Sequence, residues 1–205
     1  MIIAVDGPSA AGKGTLARAI AKHYGYHYLD TGTLYRMVGL MMIRTHTDFS
    51  NHAVAAGFAS TLDPTVFLDN ELRGEVVGAA ASKVAIIPEV RGALLKFQQD
   101  FAKRAPGAVL DGRDLGTVIC PEADVKLFIT ASSHARAERR FKEFAGNSSF
   151  ENIKADIEAR DTRDATRSHA PTRAAPDAIT IDTSNMSIEE ALTQALAIIS
   201  QRQTV

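Results

Sequence analysis

An apolar run, Ile2-Ile-Ala-Val5, passes directly into Asp6-Gly-Pro-Ser-Ala-Ala-Gly-Lys-Gly-Thr15, and a helical pattern begins at about Thr15. Gly7-x4-Gly12-Lys13 has the spacing of a phosphate-binding P-loop, and the strand–loop–helix setting that such a loop requires is present. Glycines let the backbone curl so that successive N–H groups aim at one point. The helix N-terminus adds a partial positive charge there, and Lys13 a full one. Gly7, Pro8, Ser9, Ala10, Ala11, Gly12, Lys13, Gly14 and Thr15 are therefore the candidate cradle for two or three linked phosphates. The competing reading is an ordinary glycine-rich turn, and a position at the mouth of the first strand argues against it.

One letter departs from the general motif. Gly14 stands where most such loops carry the Ser or Thr that ligates Mg²⁺, and Thr15 follows one place later. The Gly-Lys-Gly-Thr form resembles nucleoside-monophosphate kinases, which implies a metal held by the phosphates and largely through water.

At 205 residues the chain fits one α/β domain, 1–205, with small insertions. A net charge of −1 excludes the uniform positive field that a general affinity for nucleic acid or acidic membranes needs. The single cysteine, Cys120, rules out an internal disulfide and suits a reducing compartment. Its apolar neighbours Val118 and Ile119 make it a buried small hydrophobe rather than a nucleophile. No apolar stretch reaches the roughly 20 residues of a membrane span, and a strand at the very start leaves no room for a signal peptide. Cytoplasm is the expected location, and a monomer the expected state. His23 and His27 lack metal-ligand partners at sensible spacing and are read as packing or surface residues.

Along the chain, helices are expected over Thr15–Tyr24, Thr33–Arg44, Glu75–Ala85, Pro88–Arg104, from Ser132 onward, Phe150–Thr166 and Ser187–Arg202. Strands are expected at Tyr26–Leu29, Ala108–Leu110, Val125–Thr130 and Ala178–Ile181, besides the first. Between Thr45 and Gly74 the pattern blurs and reads as a small insertion. Alternating strands and helices imply right-handed crossovers and a parallel sheet, with functional groups at the strands' C-terminal ends. The P-loop, Asp30-Thr31-Gly32 and Asp111-Gly-Arg-Asp114 all fall at such ends.

Further stretches match in order across nearly the whole chain: Asp30-Thr-Gly-Thr-Leu-Tyr-Arg36, Ala80-Ala-Ser-Lys-Val-Ala85, Pro88-Glu-Val-Arg91, Leu110-Asp-Gly-Arg-Asp-Leu-Gly-Thr117 and Arg160-Asp-Thr-Arg-Asp164. Together with the P-loop they resemble the bacterial cytidylate kinases, and the Asp-Gly-Arg-Asp-Leu-Gly-Thr stretch is the most specific. The resemblance implies a three-layer α/β P-loop kinase fold with a five-stranded parallel core sheet. It also implies a shortened monophosphate-binding insertion at about 45–90 and a lid at about 141–160. The implied reaction moves the γ-phosphate of ATP, with Mg²⁺, onto CMP or dCMP. Thr31 matches a hydroxyl touching the monophosphate, and Arg36, Arg113 and Arg167 match phosphate-binding arginines. Ser82, Arg91 and Asp114 match the cytosine-reading set, Arg160 and Asp164 the ribose-binding pair, and Arg140 a lid arginine. The family's usual Ile-Arg-Thr appears here as Leu72-Arg73-Gly74, which loses a hydroxyl.

The residues carry a chemistry of their own. Cytosine presents an amino donor where uracil presents an oxygen, so a carboxylate such as Asp114 can accept from one and repel the other. The simpler alternative is that Asp114 only pairs with Arg113. Ser82 and Arg91 offer donors to the ring nitrogen and carbonyl, though alone they would read as solvated helix residues. Arg160, Arg163, Asp164 and Arg167 share one helix face. A solvated charged face is the usual explanation, but the absence of Lys favours planar forks that bind phosphate bidentately. Lys13, Arg113, Arg140 and Arg163 are the expected neutralisers of the transferring group. Asp111 resembles an acid that orients metal-bound water, with a helix cap or salt-bridge partner as its alternative. The Gly146–Ser149 break is the expected hinge of the lid, and the loop 182–185 the expected neighbour of the adenine. Two rivals remain: a P-loop kinase for another small acceptor such as UMP, and a nucleotide-binding switch. The second usually carries Asn-Lys-x-Asp, and no Asn-Lys pair occurs here.

Overall fold

In a computed structural model of the chain, residues 1–143 and 148–203 are described. The apolar runs form five strands: β1 (Ile2–Asp6), β2 (His27–Asp30), β3 (Ala108–Asp111), β4 (Val125–Thr130) and β5 (Ile179–Asp182). They make one sheet in the order β2-β3-β1-β4-β5, with β1 parallel to both β3 and β4, and β4 parallel to β5. This is the five-stranded parallel α/β arrangement expected from the alternation of elements. Because β1 and β3 are buried along nearly their whole length, they read as continuous apolar runs rather than alternating ones. The register pairs Val5 with Asp111 and Asp6 with Phe128, so the strand feeding the P-loop ends level with the strand feeding Asp111–Asp114.

The helices are α1 (Lys13–Tyr24), α2 (Thr31–Arg44), α3 (His52–Ser60), α4 (Glu75–Val84), α5 (Pro88–Ala102), α6 (Ser133–Glu143), α7 (Phe150–Thr166) and α8 (Ile188–Gln203). Helix α1 starts at Lys13, two residues before the position expected, because Gly12 takes the left-handed conformation that turns the chain into the helix. Gly25, also left-handed, ends it as expected. Three elements were not expected, the shortest a 3-10 turn at Pro64–Val66. Helix α3 lies inside the blurred 45–74 stretch, capped by Asn51 accepting the N–H of Val54 at 3.2 Å. It buries only Ala55 and Ala59, too narrow an apolar face to stand out as periodicity. A π-helical turn at Leu115–Ile119 follows Asp114. Cys120 is buried, and burial pushes its thiol up to about 11, which leaves it inert as the sequence suggests.

The chain divides into two compact units, Met1–Leu29 with Ala102–Val205, and Asp30–Phe101. The first has a core of Ile3, Val5, Leu16, Ile20, Leu127 and Ile199 with their neighbours, which presses α1 and α8 onto the sheet. The second is helical, built on α2, α4 and α5 around Leu34, Val38, Met42, Val84, Val90 and Leu94. There α2 and α4 approach so closely that a Cβ on Gly39 would lie 2.9 Å from Ala80.

Candidate active site

The P-loop follows from backbone that few residues tolerate. Gly7, Ala10 and Gly12 all have positive φ (141°, 58° and 87°). At Gly7 the demand is also steric, since a Cβ would stand 1.9 Å from the Ile129 carbonyl oxygen. Ala10 holds the left-handed conformation without being glycine, a strained position of the kind found in functional loops. Lys13, 5% exposed, folds back to donate to the Pro8 carbonyl at 3.1 Å and stands 3.7 Å from Asp111 Oδ1. A buried ammonium is expensive without a carboxylate near it, which explains Asp111 at the end of β3.

Alongside lies a cavity of about 370 Å³, lined by Ala10, Ala11, Gly12, Lys13, Gly14 and Thr15 from the loop and by Ile129, Arg139, Glu143, Thr183, Met186, Ser187, Ile188 and Ala191. One wall is N–H-rich loop and the other mixed apolar and polar, which suits phosphates continuing into a flat, partly apolar base. Thr183 belongs to the 182–185 loop singled out in the sequence. Its hydroxyl donates to the Ala11 carbonyl at 3.0 Å, and Arg139 reaches both its hydroxyl (3.2 Å) and its carbonyl oxygen. Arg139 was not selected from the sequence, because three arginines on α6 gave no sign of which one faces the loop.

The residues also fit a metal held mostly by its nucleotide. A Cβ on Gly14 would come 3.0 Å from Asp111 Oδ2, so this carboxylate occupies the room a P-loop Ser or Thr would need. Among the described residues no group of three or more His, Cys, Asp or Glu could hold an ion. Mg²⁺ bound through phosphates, waters and one carboxylate needs no more than that.

At the neighbouring strand end, residues just after β3 and from the C-terminal end of α7 form a charged cluster. Arg113 Nε donates to Asp164 Oδ2 at 3.2 Å, and its Nη1 donates to the Gly112 carbonyl at 3.3 Å. Arg160 Nε stands 4.0 Å from the same Asp164 oxygen. Arg167 Nη2 donates to Asp114 Oδ1 at 3.4 Å, both side chains being nearly buried. The simpler alternative for Asp114 is thus corrected: its guanidinium is that of Arg167, while Arg113 turns to Asp164. The cause is the fold of α7, which brings Asp164 and Arg167, one turn apart, against the two adjacent residues 113 and 114. Arg163 is exposed, and its Nε donates to the Ala159 carbonyl one turn back at 3.4 Å. Arg140 is half-buried on α6.

A second arginine of α6, missed in the sequence, ties these parts together. Arg136, 5% exposed, donates to both carboxylate oxygens of Asp161 on α7 (3.0 and 2.6 Å). It also donates to the carbonyls of Ser9 (3.2 Å) and Ala131 (2.9 Å). Asp6, likewise passed over, accepts N–H groups from Leu115 and Gly116. Its one sequence signal is a carboxylate closing an otherwise apolar strand.

Thr31, Arg36, Ser82 and Arg91 belong to the second unit. Thr31 is buried in the first turn of α2, and Arg36 donates to the Leu72 carbonyl at 2.9 Å. Ser82 is half-buried near the end of α4. The Arg91 guanidinium lies 5.7 Å from the centre of the Tyr35 ring and donates to the Ala85 carbonyl at 3.4 Å. Gly74, where a hydroxyl residue was expected, has φ 102° and precedes α4 with no side-chain cap, a conformation that resists Thr. Of the expected lid, 144–147 lie outside the described residues, including Gly146 of the hinge, and α7 covers the part from Phe150. Among the described residues no helix is long and apolar enough to cross a membrane.

Solved structures share the fold at low identity. A gluconokinase from Sinorhizobium meliloti 1021 superposes with a TM-score of 0.53 at 16% identity, covering 98% of this chain and 91% of that one. Much nearer in sequence is a cytidylate kinase from Rhodopseudomonas palustris (strain ATCC BAA-98 / CGA009), 50% identical over 202 residues, 97% of this chain and 95% of that protein. Another, from Azorhizobium caulinodans, is 51% identical over 204 residues, 98% of each chain. The sequence profile described as "Cytidylate kinase" matches residues 3–201, taking in the P-loop, the 110–117 stretch and the arginine-rich α7. By both measures this chain belongs to the cytidylate kinase family.

Proposed function

We propose that this chain is an ATP-dependent kinase that transfers the γ-phosphoryl group of ATP to CMP or dCMP, releasing ADP and CDP or dCDP. The observation that carries the reading is the level ending of β1 and β3. It sets a phosphate cradle with Lys13 beside Asp111–Asp114, whose charged residues answer to α7. ATP fits the cavity with its phosphates on the loop N–H groups and its base toward Thr183, Met186 and Ile188.

The acceptor is a phosphate ester whose second ionisation lies near a pKa of about 6. At neutral pH it is already a dianion, so no general base is required. Catalysis then reduces to positioning two anions in line and neutralising charge as it moves. Lys13, moving off the Pro8 carbonyl, meets the β- and γ-phosphates. Arg113 and Arg167 receive the acceptor phosphate, with Arg140 and Arg163 completing the neutralisation, and Arg160 and Asp164 meet the ribose. Thr31 and Arg36 add monophosphate contacts, while Ser82, Arg91 and Asp114 read the base. Mg²⁺, when bound, would supply further neutralisation of the transferring phosphates, and Asp111 is the residue that would help to hold it through water. With this reaction goes the reading of the protein as a cytoplasmic monomer.

Steady-state rates with CMP, dCMP, UMP and AMP at fixed ATP and Mg²⁺ test the assignment. CMP and dCMP are expected to lead, and a preference for UMP or AMP would reverse it. The buried carboxylate of Asp114 weighs against uracil, whose oxygen it would face.

A further inference from the structure

Asp6 has no role in the transfer above, yet it is a 5% exposed carboxylate placed between the donor loop and the base-reading segment. Its Oδ1 accepts the N–H of Leu115 at 2.9 Å, and its Oδ2 accepts the N–H of Gly116 at 2.8 Å. Those two donors follow Asp114 directly. Asp114 in turn opens the π-helical turn, its carbonyl accepting N–H groups from Val118 (2.9 Å) and Ile119 (3.2 Å). Keeping a charge here is costly. Burial, with a smaller push from nearby Asp114, lifts the Asp6 carboxyl to about 6 against the pull of the two N–H groups and Lys13. A neutral side chain of the same shape would escape that cost but could not do the same job. Only a carboxylate offers both oxygens as acceptors, whereas Asn would turn an NH₂ against one of the two N–H groups.

We propose that Asp6 is a positioning residue for cytosine selection: by holding the Leu115 and Gly116 amides it fixes where the Asp114 carboxylate stands, while Arg167 orients that carboxylate from the α7 side. The inference rests on the reading of Asp114 as the base-selecting carboxylate. It also gives a role to a carboxylate immediately before Gly7 that does not line the cavity beside the loop.

The experiment compares kcat/KM for CMP and UMP in the unaltered enzyme, Asp6→Asn and Asp114→Ala. Asp6→Asn is expected to lower the CMP-to-UMP ratio about tenfold, the effect of one mismatched buried donor. The loss should appear as a raised KM for CMP with the KM for ATP unchanged. A parallel rise in both KM values would mark a merely structural role, since Asp6 adjoins Gly7, and would overturn the inference. An unchanged ratio in Asp6→Asn beside a lowered ratio in Asp114→Ala overturns the role of Asp6 alone. Unchanged ratios in both overturn the reading of Asp114 as well. If Asp6→Asn does not fold, amide hydrogen exchange on the unaltered protein decides. A base that engages Asp114 must slow exchange at Leu115 and Gly116 more with CMP than with UMP, because coupling runs both ways. Equal protection by the two nucleotides would overturn the proposal.

Discussion

The donor cradle and the charged cluster beside it are built by opposite means. The cradle is backbone: a loop with Gly7, Ala10 and Gly12 in left-handed conformations, and Lys13 folded back over it. The cluster is side chain: Arg113, Arg160 and Arg167 held by Asp164 and Asp114 across two elements far apart in sequence. A backbone site tolerates almost no change of residue at its turning points, but asks little of distant parts. A side-chain site tolerates local change and depends on which partner the fold delivers. In the proposed reading the first binds what every nucleotide donor shares, its phosphates, and the second tells one acceptor from another.

The sharpest way to break this contrast is Lys13→Ala. It removes the buried cation of the cradle, so kcat should fall about 10²–10³-fold or more, and taking that ammonium from the buried Asp111 carboxylate should lower the melting temperature as well. A near-normal kcat would mean the loop amides alone suffice. Gly7→Ala attacks the backbone itself. Its Cβ would meet the Ile129 carbonyl at 1.9 Å, so a loss of about 3 kcal/mol or more in urea unfolding is expected, and an unaffected midpoint would contradict the geometry.

Between the two sites sits Asp6. Its folded-state carboxyl is raised from 3.8 to about 6, so its ionisation opposes folding. The contribution of Asp6 is therefore greatest below about pH 4 and is lost as pH rises through about 6, a change of ~3 kcal/mol. Asp6→Asn should remove that component, read as a flatter dependence of unfolding free energy between pH 4 and 7. Smallest is Asp114→Ala, which should reduce CMP-over-UMP discrimination by about 1–3 kcal/mol while sparing turnover of the best substrate more than Lys13→Ala does. If it abolished turnover with all acceptors, the division between a shared donor site and a selective acceptor site would fail.

Much of this was legible in one dimension because its signals are local. A strand of four apolar residues, glycines at two of the three left-handed positions and a Lys after Gly12 must lie close in sequence to work, so they can be read there. Arg160, Asp164 and Arg167 were legible in the same way, by their helical spacing, whereas Arg163 of the same run is exposed. What escaped detection was either weakly patterned or long-range. Helix α3 buries only Ala55 and Ala59, and the π-helical turn has no residue signature of its own. Arg136 looked no different from Arg139 and Arg140, although it alone ties Asp161 and the Ser9 carbonyl into one arrangement.

From its residues alone, this chain was committed to a parallel sheet with a phosphate cradle at the mouth of its first strand, because steric limits on φ and the charge of one lysine act within a few residues. Tertiary structure alone decided that Asp114 answers to Arg167 rather than Arg113, that Arg139 faces Thr183, and that Asp6 holds the turn beyond β3. Each of those is a choice among several chemically equivalent partners, and only the crossing of strands and helices in space determines which one comes within hydrogen-bond reach.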